Sequence, residues 1–233
     1  MEKILFIFYF FFSYLLGSIP FGFIFTFLFA RKNILEIGWR KTSGSNVFKN
    51  VGKIPGLLTG IFDLLKGFLA VYLAKKFGFP ELIQVLSGVL AIVGHNWSIY
   101  LKFAGGRGIG TFIGAGLALE SKILGLSFLP FAILAIIWNA SIGTILFLIT
   151  AISLSFYFHR FQTIGIFTLI SLLPIFIKRL SPIGQLKGKE IFLNRLIFDN
   201  DKACFDLRIK RIIKRLTKTK KEDKIEKSEQ SGF

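Results

Sequence analysis

Long apolar runs restrict this chain more than anything else in its sequence. Stretches at 4–30, 54–74, 82–101, 123–138, 142–158 and 161–177 each approach the ~20 residues that carry a helix across a bilayer. Another apolar stretch follows the glycine cluster at 105–110 and ends at Leu119, a length that suits a broken or re-entrant helix. The composition agrees: 53% of residues are hydrophobic, 29 are Phe, and 18% are charged, where a soluble domain carries about 25%. The fold class expected is all-α, a polytopic membrane protein of about seven transmembrane helices, one short or broken. The run from Ile4 reaches Arg31-Lys32 with no small-residue cleavage site, so it is expected to stay as the first span.

A formal charge of +17 would suit a nucleic-acid binder, but the cations avoid the apolar runs. They gather in the loop 31–53 (Arg31, Lys32, Arg40, Lys41, Lys49 and Lys53 against Glu36) and in the C-terminal tail. Positive charge marks cytoplasmic loops, so both regions are expected inside and the N-terminus outside, which an odd number of crossings satisfies. No nucleic-acid partner is expected. Two units follow: a membrane domain over 1–186 and a cytoplasmic tail over 187–233. In the tail Phe205, Ile209, Ile212, Ile213 and Leu216 recur at helical spacing among Arg and Lys, as in a helix lying on anionic lipid. Its last dozen residues have a disordered composition. The single cysteine, Cys204, permits neither an intrachain disulfide nor a Cys-based metal site, and no metal or other cofactor is expected.

The most informative polar segment is Gly94-His95 followed by Lys102-Phe103-Ala104-Gly105-Gly106-Arg107-Gly108-Ile109-Gly110-Thr111. Glycines let backbone N–H groups approach an anion, a helix starting just after them aims its positive end at the same point, and Arg107 adds a bidentate phosphate partner. The competing reading is that Gly106, Gly110 and Gly114 form a small-residue face for helix packing. Gly52, Gly56 and Gly60 read chiefly as packing. Asp63 and Lys66, at i and i+3 inside an apolar run, can pair on one helix face as a supporting or functional ion pair. His95 is either a hydrogen-bonded helix-end residue or a base. Pro20, in Gly17-Ser18-Ile19-Pro20, should kink the first span and free carbonyls for other helices or for Ser18.

These pieces together carry a resemblance. Tyr14 to Gly22, Asn46-Val47 with Lys49 and Gly52, Asp63 to Gly67, Gly94-His95 and Phe103 to Gly108 fall in the order and spacing of the membrane-embedded acyl-phosphate glycerol-3-phosphate acyltransferases, over roughly residues 10 to 190. The resemblance implies transfer of a fatty acyl group from acyl phosphate to the 1-hydroxyl of glycerol 3-phosphate, giving lysophosphatidate for phospholipid synthesis, with seven spans. It implies a multi-pass protein of the cell (inner) membrane with its active face cytoplasmic, working among membrane lipids and beside an enzyme that produces acyl phosphate. Lys49, Arg107 and His95 take the catalytic positions. Ser45, Asn46, Gly105, Gly106, Gly108, Thr111, Ser141, Lys178 and Arg179 are expected at substrate, and Ser18, Asp63 and Lys66 in support.

The sequence departs from the family pattern in its first cytoplasmic loop. An ungapped alignment places Trp39 on the family serine, Lys41 on its first asparagine, Lys49 on its arginine and Arg107 on the glycine-loop lysine. The third motif is represented only by Lys178-Arg179-Leu180-Ser181, without its histidine and asparagine. Positive charge is kept while neutral hydrogen-bonding partners are lost, so a catalytically inactive homologue that binds lipid precursors or a partner enzyme is the alternative. A transporter is the third reading, with Asp63 and Lys66 almost its only intramembrane polar residues.

Overall fold

The computed structural model describes residues 2–181 and 188–200, and the regular secondary structure among them is all helical. The helices are α1 (Glu2–Ser18), α2 (Phe21–Ala30), α3 (Gly44–Asn50), α4 (Lys53–Lys76), α5 (Glu81–Asn96), α6 (Ile109–Ile137), α7 (Ala140–Tyr157), α8 (Ile166–Leu180) and α9 (Lys189–Phe198). Short turns at Ile34–Glu36, Ile99–Leu101 and Phe161–Gly165 join them. Among the described residues six helical stretches are long and apolar enough to cross a membrane: Glu2–Ala30, Lys53–Lys76, Glu81–Leu101, Ile109–Ile137, Ala140–Tyr157 and Phe161–Leu180. The amphipathic run 205–218 and the acidic-basic terminus lie outside the described residues.

Pro20 breaks the first stretch between α1 and α2, as its sequence requires. The break releases two carbonyls, and neighbours take both: Ser98 Oγ donates to the Ser18 oxygen at 2.6 Å, and Lys66 Nζ to the Ile19 oxygen at 3.0 Å. In hydrocarbon an unsatisfied carbonyl costs several kcal/mol, so these bonds set where α1 lies against α4 and α5. Packing is correspondingly close. A Cβ on Gly17 would collide with the Ala91 backbone of α5, and one on Gly114 with the Leu64 backbone of α4. Gly114 thus fulfils the packing reading, whereas Gly60 has open space beside it, so the stripe expected at Gly52, Gly56 and Gly60 packs only in part.

The helix α6 is interrupted at Glu120, whose backbone (φ −147°, ψ 82°) is extended. Two polar clusters reveal what the interruption does. At one end of the bundle Arg160 Nε donates to Glu120 Oε1 at 2.6 Å, Arg160 also reaches Glu81, and Thr163 Oγ1 donates to Glu81 at 3.0 Å. At the other end Arg179 Nη2 donates to the Ser141 oxygen at 3.1 Å, beside Lys178, Lys41 and Gly105. The chain therefore leaves the second end at Gly108, reaches the first at Glu120 and is back at Ser141. The 109–119 segment, too short by itself for a regular span, packs lengthwise on α4.

The core lies where α5, α6, α7 and α8 meet. Phe112 stacks on Phe167 with centroids 4.9 Å apart and meets Phe147 edge-on at 5.5 Å, beside buried Ile92, Ile123, Leu124 and Ile164. Facing outward are Phe8, Phe11, Leu57, Leu129, Ile136 and Phe156, large apolar side chains on the bundle surface as a lipid-facing wall demands.

Candidate active site

The loop 31–53 buries Ile34 and Val47, and Asn46 orders its polar part. Fully buried at the start of α3, it donates from Nδ2 to the Ile37 and Lys41 oxygens (3.1 and 2.9 Å), and its Oδ1 accepts from Trp39 N and Asn50 Nδ2 (3.0 and 2.8 Å). All four of its hydrogen-bonding directions are thus spent on the loop. Asn46, expected at substrate, is here the brace that presents Gly38 to Lys41.

A second loop closes against the first. Phe103 N and Leu101 N donate to the Ser98 oxygen, and Lys102 and Phe103 adopt positive φ (51° and 65°), an uncommon geometry for residues with a Cβ. Gly106 N donates to the His95 oxygen at 3.0 Å, and Thr42 N to the Gly105 oxygen at 3.4 Å. The backbone cradle expected over Gly105 to Gly108 therefore lacks the Gly106 donor. Gly106 has another task, since a Cβ there would strike the His95 ring. Gly108, at φ 81°, is the N-cap of α6, so the glycine loop does lead into a helix start.

Between the loops and α8 lies a cavity of about 800 Å³, walled by Gly38, Trp39, Phe103, Ala104, Gly105, Ser181 and Asn200 together with Arg40, Lys41, Arg107, Lys178, Arg179, Arg195 and Asp199. Six cations face one carboxylate. Arg107 Nε lies 2.6 Å from Asp199 Oδ2, and its guanidinium sits 4.9 Å from the Trp39 ring centre. Lys41 Nζ donates to the Lys178 oxygen at 3.1 Å. Arg179 Nη1 donates to the Leu196 oxygen at 2.9 Å, and Arg195 Nη1 to the Leu180 oxygen at 3.1 Å.

Crowding and burial act on the titrations. Burial lowers Lys41 to about 8; the Asp199 carboxylate opposes that, and Arg107, Lys178 and Arg195 add to it. Burial likewise lowers Arg107, with Asp199 opposing. Burial pushes the Asp199 carboxyl above its ordinary value while Arg107, Lys41 and Arg179 pull it down; its Oδ2 forms an ion pair with Arg107 Nε at 2.6 Å. A polyanion entering such a site would stabilise the charged form of Lys41 and take up a proton above pH 8. We expect the affinity for inorganic phosphate to fall as pH rises from 7 to 9, and the fall to flatten in Lys41→Arg; equal pH profiles in titration calorimetry would contradict this. Stability has the opposite sign. Between about 8 and 10.5 the unfolded chain holds the Lys41 proton that the folded one has lost, so this residue makes stability rise with pH in that window.

Behind the cavity sits a buried ionic cluster. Asp63 Oδ1 lies 3.0 Å from Lys66 Nζ and 3.3 Å from His95 Nδ1, and all three residues are at most 5% exposed. His95 is therefore not on the cavity wall. It backs the glycine loop through its carbonyl and ring, which fits the helix-end reading better than the base reading.

The other expected residues divide. Arg107, Gly105, Lys178 and Arg179 line the cavity. Ser141 meets it through its carbonyl on Arg179. Lys49 is exposed on α3, its Nζ 5.2 Å from the Trp39 ring centre, and Ser45 is exposed with only Ser43 Oγ nearby at 3.4 Å; neither forms part of the wall. Thr111 and Ser18 are buried away from it. The residues expected at substrate do not include Arg40, Arg195 and Asp199, and Lys41 enters the expectations only as the residue on a family asparagine. The basic loop contained a signal for Arg40 and Lys41; Arg195 and Asp199 come from α9, where no motif points to the cavity.

A family model described as glycerol-3-phosphate acyltransferase matches residues 7–188. The chain belongs to this family. A glycerol-3-phosphate acyltransferase of Prochlorococcus marinus (strain MIT 9312) is 35% identical over 79% of this chain and 96% of its own length. One from Moorella thermoacetica, glycerol-3-phosphate acyltransferase 2, is 38% identical over 68% of this chain and 82% of that one. The fold resembles the crystal structure of PlsY (YgiH), an integral membrane glycerol 3-phosphate acyltransferase, in its glycerol 3-phosphate form, with a TM-score of 0.69 at 27% identity over 78% of this chain and 91% of that chain. The lysophosphatidic acid form gives 0.67 at 25% over 82% and 98%. Trp39 contacts both Arg107 and Lys49 through its ring.

Proposed function

We propose that this protein transfers a fatty acyl group to glycerol 3-phosphate, making lysophosphatidate for phospholipid synthesis, with acyl phosphate as the donor. The observation that carries the reading is the six-cation cavity beside the family's glycine loop. Two phosphate-bearing substrates need such a site, because their mutual repulsion must be offset before they can be held together. The glycerol hydroxyl oxygen attacks the acyl carbonyl carbon, the carbon–oxygen bond to phosphate breaks, and inorganic phosphate leaves with the electron pair. A substrate phosphate oxygen takes the hydroxyl proton. Holding and orienting the reactants supplies about 7–11 kcal/mol in well-aligned systems, which a protein without a side-chain base can exploit. Arg107, Arg179, Lys178 and Lys41 hold phosphates in this scheme, and the acyl chain lies against the apolar helices. An enzyme producing acyl phosphate would act upstream. Purified protein given acyl phosphate and labelled glycerol 3-phosphate should yield labelled lysophosphatidate and inorganic phosphate. Folded protein that forms neither would exclude the reading.

In this scheme the cavity end faces the cytoplasm of the cell (inner) membrane, the N-terminus lies outside, and the two arms of α6 make seven crossings of the six apolar stretches. The basic loop 31–53 and the positive-inside rule support that orientation. With Cys204 replaced, a cysteine at position 45 should react with an impermeant reagent only from the cytoplasmic side; labelling only from outside would reverse the orientation.

A further inference from the structure

The helix α9 begins at Lys189, directly after the family match ends at 188. This helix is docked on the cavity and occupies its arginines. Leu196 gives its carbonyl to Arg179, Arg195 enters the wall and donates to Leu180, and Asp199 places a buried carboxylate on Arg107. Asp199 is held there by its own backbone, which turns left-handed (φ 52°) at the end of α9 and hydrogen-bonds back to the Arg195 oxygen at 3.0 Å. A carboxylate oxygen on a guanidinium has the charge and the planar hydrogen-bonding demand of a phosphate oxygen. Among the described residues it is the one acid beside six cations on the cavity wall, and it sits on the cation of the glycine loop.

We propose that α9 is an internal competitor: the Asp199 carboxylate holds the Arg107 site when no substrate is present, and a phosphate-bearing ligand binds by displacing it and loosening α9. The inference rests on the reading of Arg107 as a phosphate site, and it concerns how that site is occupied. Substrate affinity in this protein is set by the difference between two anions for one arginine.

The test uses the full-length protein in detergent with inorganic phosphate as the probe. Asp199→Asn should bind phosphate about tenfold more tightly than the wild type, the scale of one competing ion pair, while Asp199→Glu stays near the wild type. In acyl-transfer assays Asp199→Asn should lower the KM for glycerol 3-phosphate without lowering kcat. The wild type supplies a second measurement that needs no variant: amides of 189–198 should exchange hydrogen faster when phosphate is saturating. Unchanged or weaker phosphate affinity in Asp199→Asn, or unchanged exchange with phosphate bound, would overturn the proposal. A fall in kcat would also overturn it, by making Asp199 a contributor to turnover. Absent acyl transfer with tightened phosphate binding would leave this proposal standing and remove the acyltransferase reading.

Discussion

Arg107→Ala should lower acyl transfer by about 100-fold or more while leaving the protein folded. A hydrogen bond to a charged group is worth about 1.5–3 kcal/mol, a guanidinium can make two to one phosphate, and each 1.36 kcal/mol is tenfold in rate. The side chain stands in a loop at the cavity wall, so its removal opens no void within a span. Asp199 would lose its 2.6 Å partner and keep Lys41 and Arg179 as neighbouring charges. Arg107→Lys, which keeps the charge at this place, should recover most of the rate. Steady-state kinetics on protein that is monodisperse in detergent decides it: a near-normal rate in Arg107→Ala would mean that the glycine-loop cation does not hold a reacting phosphate.

Asp63→Ala should be the most destabilising single change among the residues discussed, costing about 3–5 kcal/mol, the typical penalty for removing one partner of a buried ion pair. Lys66 would be left buried without its carboxylate partner, and His95 Nδ1 would lose the same oxygen. Lys66 would keep only the Ile19 oxygen. The effect should also reach the glycine loop, because the His95 carbonyl holds Gly106 N. Thermal unfolding in detergent should show a markedly lower midpoint, and Asp63→Ala combined with Lys66→Met should recover much of the loss. A single variant as stable as the wild type would show that the cluster does not brace the bundle.

Hydropathy made the membrane-spanning stretches legible, since each needs only length and apolarity. Pro20 and the glycine loop were legible too: proline has no N–H to give, and glycine's missing Cβ permits turns that other residues resist. The interruption at Glu120 showed in the sequence only as an apolar stretch too short to be regular. What escaped was what depends on contact between distant segments. Asn46 and Lys49 sit three residues apart in one motif, yet the first turns inward to brace the loop and the second lies exposed; nothing in residue type or spacing separates those fates. Lys41 looked like part of a topology signal and is also a cavity wall. Asp199 could not be found at all, because its role arises from the docking of a helix outside the family pattern.

The two carbonyls released at Pro20 have a consequence for biogenesis. Their donors lie 47 and 80 residues further along the chain, on Lys66 and Ser98. A polypeptide emerges from the ribosome N-terminus first, so the first span reaches the bilayer well before either donor has been made. Until α4 and then the turn after α5 arrive, the Ser18 oxygen lacks its Ser98 donor and the Ile19 oxygen has the nearby Phe21 N–H but not Lys66. The same bonds that lock the finished bundle therefore make its opening segment dependent on its later ones.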